Sequence, residues 1–292
     1  MIISVKGLEK FREKVPALSG YRFALLPAIA LTMLTLSIFC MISMYRLPEI
    51  LPVPQNVSLV SSMAPLFGYL LIEFLGFLLA SQMWFWRKSL KIKYGALAYQ
   101  RILPFGMAGI ILVGSLGFDL FIPYFLNLPS LWAQLPLSLM VIPLDSILRL
   151  GSSIGLLIRG ILGLAFFVVG LSMALRSFSS FGFDYMAVVY LYFPEESEIQ
   201  KNAIYSALRN PLYSAMLMIG FGGVIATCTL YSLLLFILFL IGFYLFVHFV
   251  EEPELVSRFG ESYITYRKTT PMFFVRPRNL PILLRFIFNV KQ

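Results

Sequence analysis

Charge is what this sequence has least of. Only 13% of its 292 residues are Asp, Glu, Lys or Arg, whereas a water-soluble domain carries about a quarter. Together with 59% hydrophobic residues and a mean hydropathy of +0.86, that deficit excludes an ordinary soluble domain and describes a chain written for lipid. Cysteine is nearly absent. Cys40 and Cys228 both fall inside apolar runs, so neither a disulfide framework nor a zinc site is supported, and no metal is expected. Acidic residues are outnumbered, leaving a net charge of +9. The Lys and Arg sit in short segments between apolar runs, where they orient helices, so no nucleic-acid partner is expected.

What the chain has is long apolar runs and aromatics, with 28 Phe and 15 Tyr. A span needs about 20 mainly apolar residues. Five runs qualify: Tyr21–Tyr45, Met63–Trp86, Leu103–Leu126, Ser152–Phe178 and Leu230–Phe249. A sixth, Pro211–Cys228, is shorter and rich in glycine. The first follows a basic stretch and is long enough to be retained as a span rather than cleaved as a signal peptide. Leu131–Leu150 is apolar but carries Pro136, Pro143, Asp145 and Arg149. Those residues break or burden a lipid-facing helix, which makes the segment interfacial or re-entrant.

Basic residues test that count. With six spans, one face receives the N-terminus, Arg87–Arg101, Arg176–Arg209 and the tail from Arg258, which hold 20 of the 23 Lys and Arg. Counting Leu131–Leu150 as a span would put the basic tail on the other side. The expected architecture is therefore an all-α, multi-pass integral membrane protein of about six transmembrane helices with both termini cytoplasmic. Residues 1–178 would form four spans and the interfacial segment. Residues 179–292 would form a core with the last two spans, a helical hairpin and a bent cytoplasmic tail.

Ionisable residues at membrane depth are functional or structural commitments. Asp119 and Arg159 lie at matching depths in the third and fourth spans, which predicts an ion pair between them. Glu73, near the middle of the second span, has no evident partner.

The chemistry concentrates between Asn202 and Pro277. Asn-Ala-Ile-Tyr-Ser-Ala-Leu-Arg-Asn-Pro-Leu-Tyr (202–213) is followed by an apolar hairpin, then Glu-Glu-Pro-Glu-Leu-Val-Ser-Arg-Phe-Gly-Glu-Ser-Tyr-Ile-Thr-Tyr-Arg (251–267) and Pro271. Asn210-Pro211 is a helix start, with Asn as cap and Pro in the first turn. The partial positive charge of that helix end, with Arg209 beside it, suits a carboxylate or phosphate. The hairpin returns His248, Glu251 and Glu252 to the same face, where Pro253 is expected to bend the chain off the membrane. An ordinary interfacial charge cluster would have the same appearance.

The spacing narrows the choice. Arg-Asn-Pro-Leu-Tyr (209–213) resembles the Arg-His-Pro-x-Tyr signature of isoprenylcysteine carboxyl methyltransferases and phospholipid methyltransferases. Tyr205 falls where their Gly-Pro-Tyr tyrosine does. Glu251-Glu252, Leu255, Phe259-Gly260, Tyr263, Tyr266 and Pro271 follow their Glu-Glu-x-x-Leu…Phe-Gly-x-x-Tyr-x-x-Tyr…Pro pattern. The resemblance covers about a third of the chain. It implies a membrane-embedded methyltransferase using S-adenosyl-L-methionine, with a membrane lipid or lipidated, isoprenoid substrate arriving from the bilayer. On that reading Tyr205, Arg209, Asn210, Pro211 and Tyr213 line the cofactor from one side, and Glu251 and Glu252 contact it from the other. Arg209 and Glu251 become the catalytic candidates. Tyr263, Tyr266, Arg267 and His248 are the candidates on the substrate side, His248 being either a general base or a structural partner of the carboxylates.

Two departures stand out. Asn210 replaces the commoner His, so no role of that imidazole carries over. A Gly-rich approach to the motif is replaced by Asp184-Tyr185…Tyr190-Leu-Tyr192-Phe-Pro-Glu195-Glu196, which suggests a different acceptor. Membrane sterol reductases that use a nicotinamide cofactor share a similar hairpin, but follow it with an Arg-Asp-Glu stretch and a Trp-containing tail. A non-catalytic lipid-binding protein on the same fold is the third reading.

Overall fold

The computed structural model of the chain describes residues 6–18, 20–47, 58–126, 152–201 and 203–288. The expected interfacial segment Leu131–Leu150, with Asp145 and Arg149, and the first motif residue, Asn202, lie outside the described residues. Among the described residues every element is helical. We label the helices α1 (Leu8–Glu13), α2 (Leu25–Tyr45), α3 (Ser58–Phe85), α4 (Arg87–Tyr94), α5 (Ala98–Asp119), α6 (Ser152–Phe181), α7 (Pro211–Thr227), α8 (Leu230–Phe246), α9 (Glu252–Phe259), α10 (Glu261–Thr269) and α11 (Leu280–Phe288).

Five helical runs among the described residues are long and apolar enough to cross a membrane: Gly20–Tyr45, Met63–Phe85, Arg87–Asp119, Ser153–Phe181 and Leu230–Phe259. The protein is thus a multi-pass membrane protein. The sixth expected span is α7, an apolar helix of 17 residues. At about 1.5 Å per residue it reaches roughly 25 Å, a little short of a hydrocarbon core. Large apolar side chains such as Leu31, Phe39, Ile154, Leu164 and Leu175 are exposed on α2 and α6, as lipid-facing surfaces require.

Close approach comes from small residues, as it does where lipid removes the hydrophobic drive between helices. A methyl group on Gly163 would run into the Gly222 backbone, and one on Gly109 into the Ala80 backbone. These positions let α6 lie against α7 and α5 against α3. The α7–α8 hairpin turns on two residues. Cys228 takes the left-handed conformation (φ 53°) that ends α7, and Thr229 caps α8 by accepting from Ser232 N at 3.0 Å.

Three expectations need correction. The third span does not run unbroken to Leu126. It ends at Asp119 and restarts as a short helix, Ile122–Leu126, because Pro123 has no amide with which to continue the ladder. The chain also does not leave its helix at Pro253. A π-helical turn, Val247–Glu251, places Pro253 in the first turn of α9, where its missing N–H costs nothing, and the break comes at Gly260 (φ 57°).

Third, Asp119 and Arg159 do not pair. Asp119 is buried and accepts from the Ser37 hydroxyl at 3.3 Å, while Arg159 Nη1 donates to the Thr227 carbonyl at 2.9 Å. Matching depth did not imply matching faces. α5 turns Asp119 toward α2, whereas Arg159 of α6 reaches the C-terminal end of α7.

Candidate functional site

Arg209 lies just before α7, held from outside its own helix. Its amide donates to the Pro271 carbonyl at 2.9 Å, and the Asn210 amide donates to the Met272 carbonyl at 3.2 Å. The Asn210 side chain joins in, Nδ2 lying 3.4 Å from the Met272 carbonyl, and so does not cap α7 as expected. Pro211 occupies the first turn as predicted. The tail after α10 therefore returns to pin the motif, which fits a motif whose two parts act together.

The second part arrives through α8 and the π turn. Arg209 Nη1 lies 2.9 Å from Glu252 Oε1, and both side chains are almost fully buried, at 8% and 2% exposure. The contact is ionic without a directed hydrogen bond. Arg209 Nε and Nη1 and Glu252 Oε1 are buried with no hydrogen-bond partner. Glu252 is further flanked by Arg267 Nη1 at 3.3 Å and His248 Nδ1 at 3.9 Å. A buried carboxylate and guanidinium are tolerable only as a pair, so each fixes the other.

Beside this pair is a chamber of about 230 Å³. Arg209, Asn210, Pro211, Tyr213, Tyr205 and Glu251 all line it. Glu251 accepts a hydrogen bond from the Tyr213 hydroxyl. Tyr263 and Tyr266 line it as well, and the Tyr266 hydroxyl donates to the Tyr205 carbonyl at 2.8 Å, fixing that neighbour. Burial pushes the phenols of Tyr205, Tyr263 and Tyr266 up from their ordinary value, so they stay neutral donors.

Three expected site residues stand apart from the chamber. Glu252 is behind Arg209 rather than on the lining. Arg267 and His248 reach Glu252 from a more exposed side, with His248 stacked on Tyr244 at 5.6 Å. His248 is thus placed as a partner of the carboxylate. Helical spacing explains the split: Glu251, Glu254, Leu255 and Arg258 fall at i, i+3, i+4 and i+7 and share the chamber face, while Glu252 pairs backward with His248 at i−4.

Two sets of lining residues were missed. Glu254 accepts from Arg258, through Nε at 3.0 Å and through Nη2, and from Arg87 Nη1 at 2.9 Å. Arg87 also donates to the Leu191 carbonyl at 3.1 Å, tying α4 to the chamber wall. The signal was present in Glu-Glu-Pro-Glu, had the i+3 position been followed. Trp84 and Ile110, from two membrane-crossing helices, complete the apolar side, and no local motif marks them. Among the described residues no group of three or more His, Cys, Asp or Glu could hold a metal ion.

Comparison with known proteins supplies one finding. Residues 158–262, about a third of the chain, match the family model of the phospholipid methyltransferases, one of the two families that its motif resembles. No curated protein and no solved structure matches the chain.

Proposed function

With residues 158–262 matching a methyltransferase family, we propose that the protein transfers a methyl group from S-adenosylmethionine to a membrane lipid or lipidated acceptor, at a chamber on the cytoplasmic face. Six spans with both termini cytoplasmic go with this reading. The observation that carries it is Arg209, a buried guanidinium lining the chamber, whose Nη1 is held by Glu252 while Nε lacks a hydrogen-bond partner. A planar fork of that kind suits the carboxylate of an amino acid group. Free amides at the start of α7, which has no side-chain cap, add partial positive charge beside it.

Bound there, S-adenosylmethionine would supply a sulfonium methyl for displacement by an acceptor nucleophile. The chain's own part is to bind, orient and stabilise. Arg209 and Asn210 anchor from the motif side, and Glu252 keeps Arg209 in place. Tyr205, Tyr213, Tyr263 and Tyr266 present aromatic faces suited to a cation. Glu251, steadied by the Tyr213 hydroxyl, is the carboxylate placed to take a proton from the acceptor. Trp84 and Ile110 give the acceptor's apolar portion a place to lie. Fixing nucleophile and methyl in line supplies most of the acceleration. The matched family favours a phospholipid headgroup as acceptor, with an isoprenylated thioether acid as the second choice.

The test is incubation of purified protein with methyl-labelled cofactor and extracted membrane lipids, followed by identification of the labelled product. A labelled lipid class is expected. No label, with tighter binding of a nicotinamide nucleotide than of S-adenosylhomocysteine, would hand the site to a reductase. Binding of neither would leave the non-catalytic lipid-binding reading.

A further inference from the structure

The chamber wall opposite the Arg209 motif is the stretch 183–198, which contributes Tyr185, Met186, Val188, Tyr190 and Leu191 to the lining. Little of this stretch is regular helix, so its shape has to be imposed from outside. The N-terminal segment does much of that. Phe183 N donates to the Lys6 carbonyl at 2.7 Å, and Lys6 Nζ donates to the Ser180 carbonyl at 2.6 Å. Phe11 is buried edge-on against Phe183 at 4.8 Å. Lys14 pairs with Glu196 at 2.5 Å and lies over the Phe193 ring at 4.2 Å. These contacts join residues more than 170 positions apart, at both ends of the wall.

At the centre of this clamp is Asp184, buried at 4% exposure. Its Oδ2 accepts from the Tyr190 hydroxyl at 2.5 Å. Its Oδ1 lies so close to Gly7 and Gly182 that a methyl group on either would overlap it. Gly7 is also left-handed (φ 76°), a conformation that a larger residue adopts only with strain. The Tyr190 ring in turn packs on Tyr185 at 4.3 Å between centroids. The chain thus runs from Gly7 to Asp184, to Tyr190, to the chamber. This wall shares the chamber with Trp84 and Ile110, which come from two helices long and apolar enough to cross a membrane.

We propose that Tyr190, presented by Asp184 under the N-terminal clamp, is a specificity-determining residue that shapes the acceptor end of the chamber. The inference rests on the methyltransferase reading and adds that a wall within the matched stretch, held in shape by N-terminal residues outside it, chooses the acceptor. Tyr190→Phe removes the hydroxyl that Asp184 holds and keeps the ring. Asp184→Asn keeps the shape and weakens the hold. Gly7→Ala loosens the clamp without touching the chamber.

The experiment uses full-length protein with methyl-labelled cofactor and vesicles of total extracted membrane lipid. It reads apparent KM for lipid, the distribution of label among lipid classes, and calorimetric affinity for S-adenosylhomocysteine. For Tyr190→Phe and Asp184→Asn the lipid KM should rise about tenfold, roughly the worth of one charge-assisted hydrogen bond, or the label should shift between classes, with the calorimetric affinity unchanged. Gly7→Ala should move the same quantity in the same direction and raise hydrogen exchange across 183–196. An unmoved lipid KM and label pattern alongside normal S-adenosylhomocysteine binding would overturn this inference alone. So would a loss of S-adenosylhomocysteine affinity in step with lipid KM, because the wall would then serve the whole chamber. A wild-type protein that neither binds S-adenosylhomocysteine nor transfers a methyl would overturn the methyltransferase reading and this inference with it.

Discussion

The stretch 158–262 and the helices before it are written in the same apolar alphabet, yet they treat their buried polar residues in opposite ways. In the matched stretch these residues converge. Arg209, Glu251 and Glu252 come from two ends of a hairpin to one buried place, and Arg267, just beyond the matched residues, joins them. In the earlier helices they are dispersed. Glu73 is buried against Gly242, which alone leaves room for its carboxylate, and Asp119 is answered by a serine. Convergent charges hold each other in place and can be turned toward a ligand. Dispersed polar groups, each keeping one buried oxygen without a hydrogen-bond partner, serve the bundle rather than a common site. The earlier helices reach the chamber with walls and braces instead: Trp84, Ile110 and Arg87.

The strongest way to break this contrast is at the convergent pair. Arg209→Lys keeps the charge but loses the planar fork and the length that meets Glu252. Calorimetric affinity for S-adenosylhomocysteine should fall about 100-fold, some 3 kcal/mol, while circular dichroism stays helical. An affinity within a few-fold of wild type would show that Arg209 serves only to neutralise Glu252. Glu252→Gln asks the complementary question. It leaves a buried guanidinium without its countercharge, so thermal stability should drop by about 3 kcal/mol, with binding lost only in proportion to folded protein.

A smaller effect is expected at the brace. Glu254 is bound by Arg258 and Arg87, the latter from outside the matched stretch, and Arg87 also holds the Leu191 carbonyl. Arg87→Gln removes one of two cations from a largely buried network, but Arg258 still answers Glu254, so the cost should be about 1 kcal/mol. The expected reading is roughly a fivefold rise in KM for the lipid acceptor, at constant affinity for S-adenosylhomocysteine. A fall in that affinity equal to that of Arg209→Lys would erase the distinction between brace and anchor.

The sequence disclosed the convergent region more fully than the dispersed one, for a physical reason. Residues 202–213 and 251–267 are fixed by local needs: a proline in a first turn, a glycine at a break, and polar groups that must meet across a short hairpin. Such needs leave spacings that can be read. What escaped was set by rotation about helix axes. The π turn rotates the chain by part of a turn just ahead of Glu252, and Pro253 is absorbed rather than expelled. Glu254 belongs to the chamber and Glu252 stands behind it, although linear sequence makes the twin glutamates look equivalent. The clasp of Lys6 on Phe183 and of Gly7 on Asp184 joins residues more than 170 positions apart, and neither end carries a mark of the other.

Asp119 offers the smallest effect at the chamber and the sharpest reading of the dispersed region. Depth along the spans had matched it with Arg159, and a buried ion pair stripped of one charge loses about 3–5 kcal/mol. The structure gives it a different setting: Oδ2 accepts from Ser37 at 3.3 Å, and Ser37 and Ser115 share a hydrogen bond of 2.5 Å. A hydroxyl can donate equally well to an amide oxygen, so Asp119→Asn keeps that bond and adds a neutral NH₂ in nearly the same volume. One hydrogen bond weakens and the NH₂ takes the place of Oδ1, which is buried without a partner, so the cost should be about 1–2 kcal/mol. Thermal unfolding in detergent should therefore shift by no more than a few degrees, and S-adenosylhomocysteine affinity should not move, because the residue lies at the end of α5 away from the chamber. A loss of 3 kcal/mol or more would mean that the carboxylate charge is answered by a cation, and the contrast between convergent and dispersed polar groups would fail at the place where it is easiest to test.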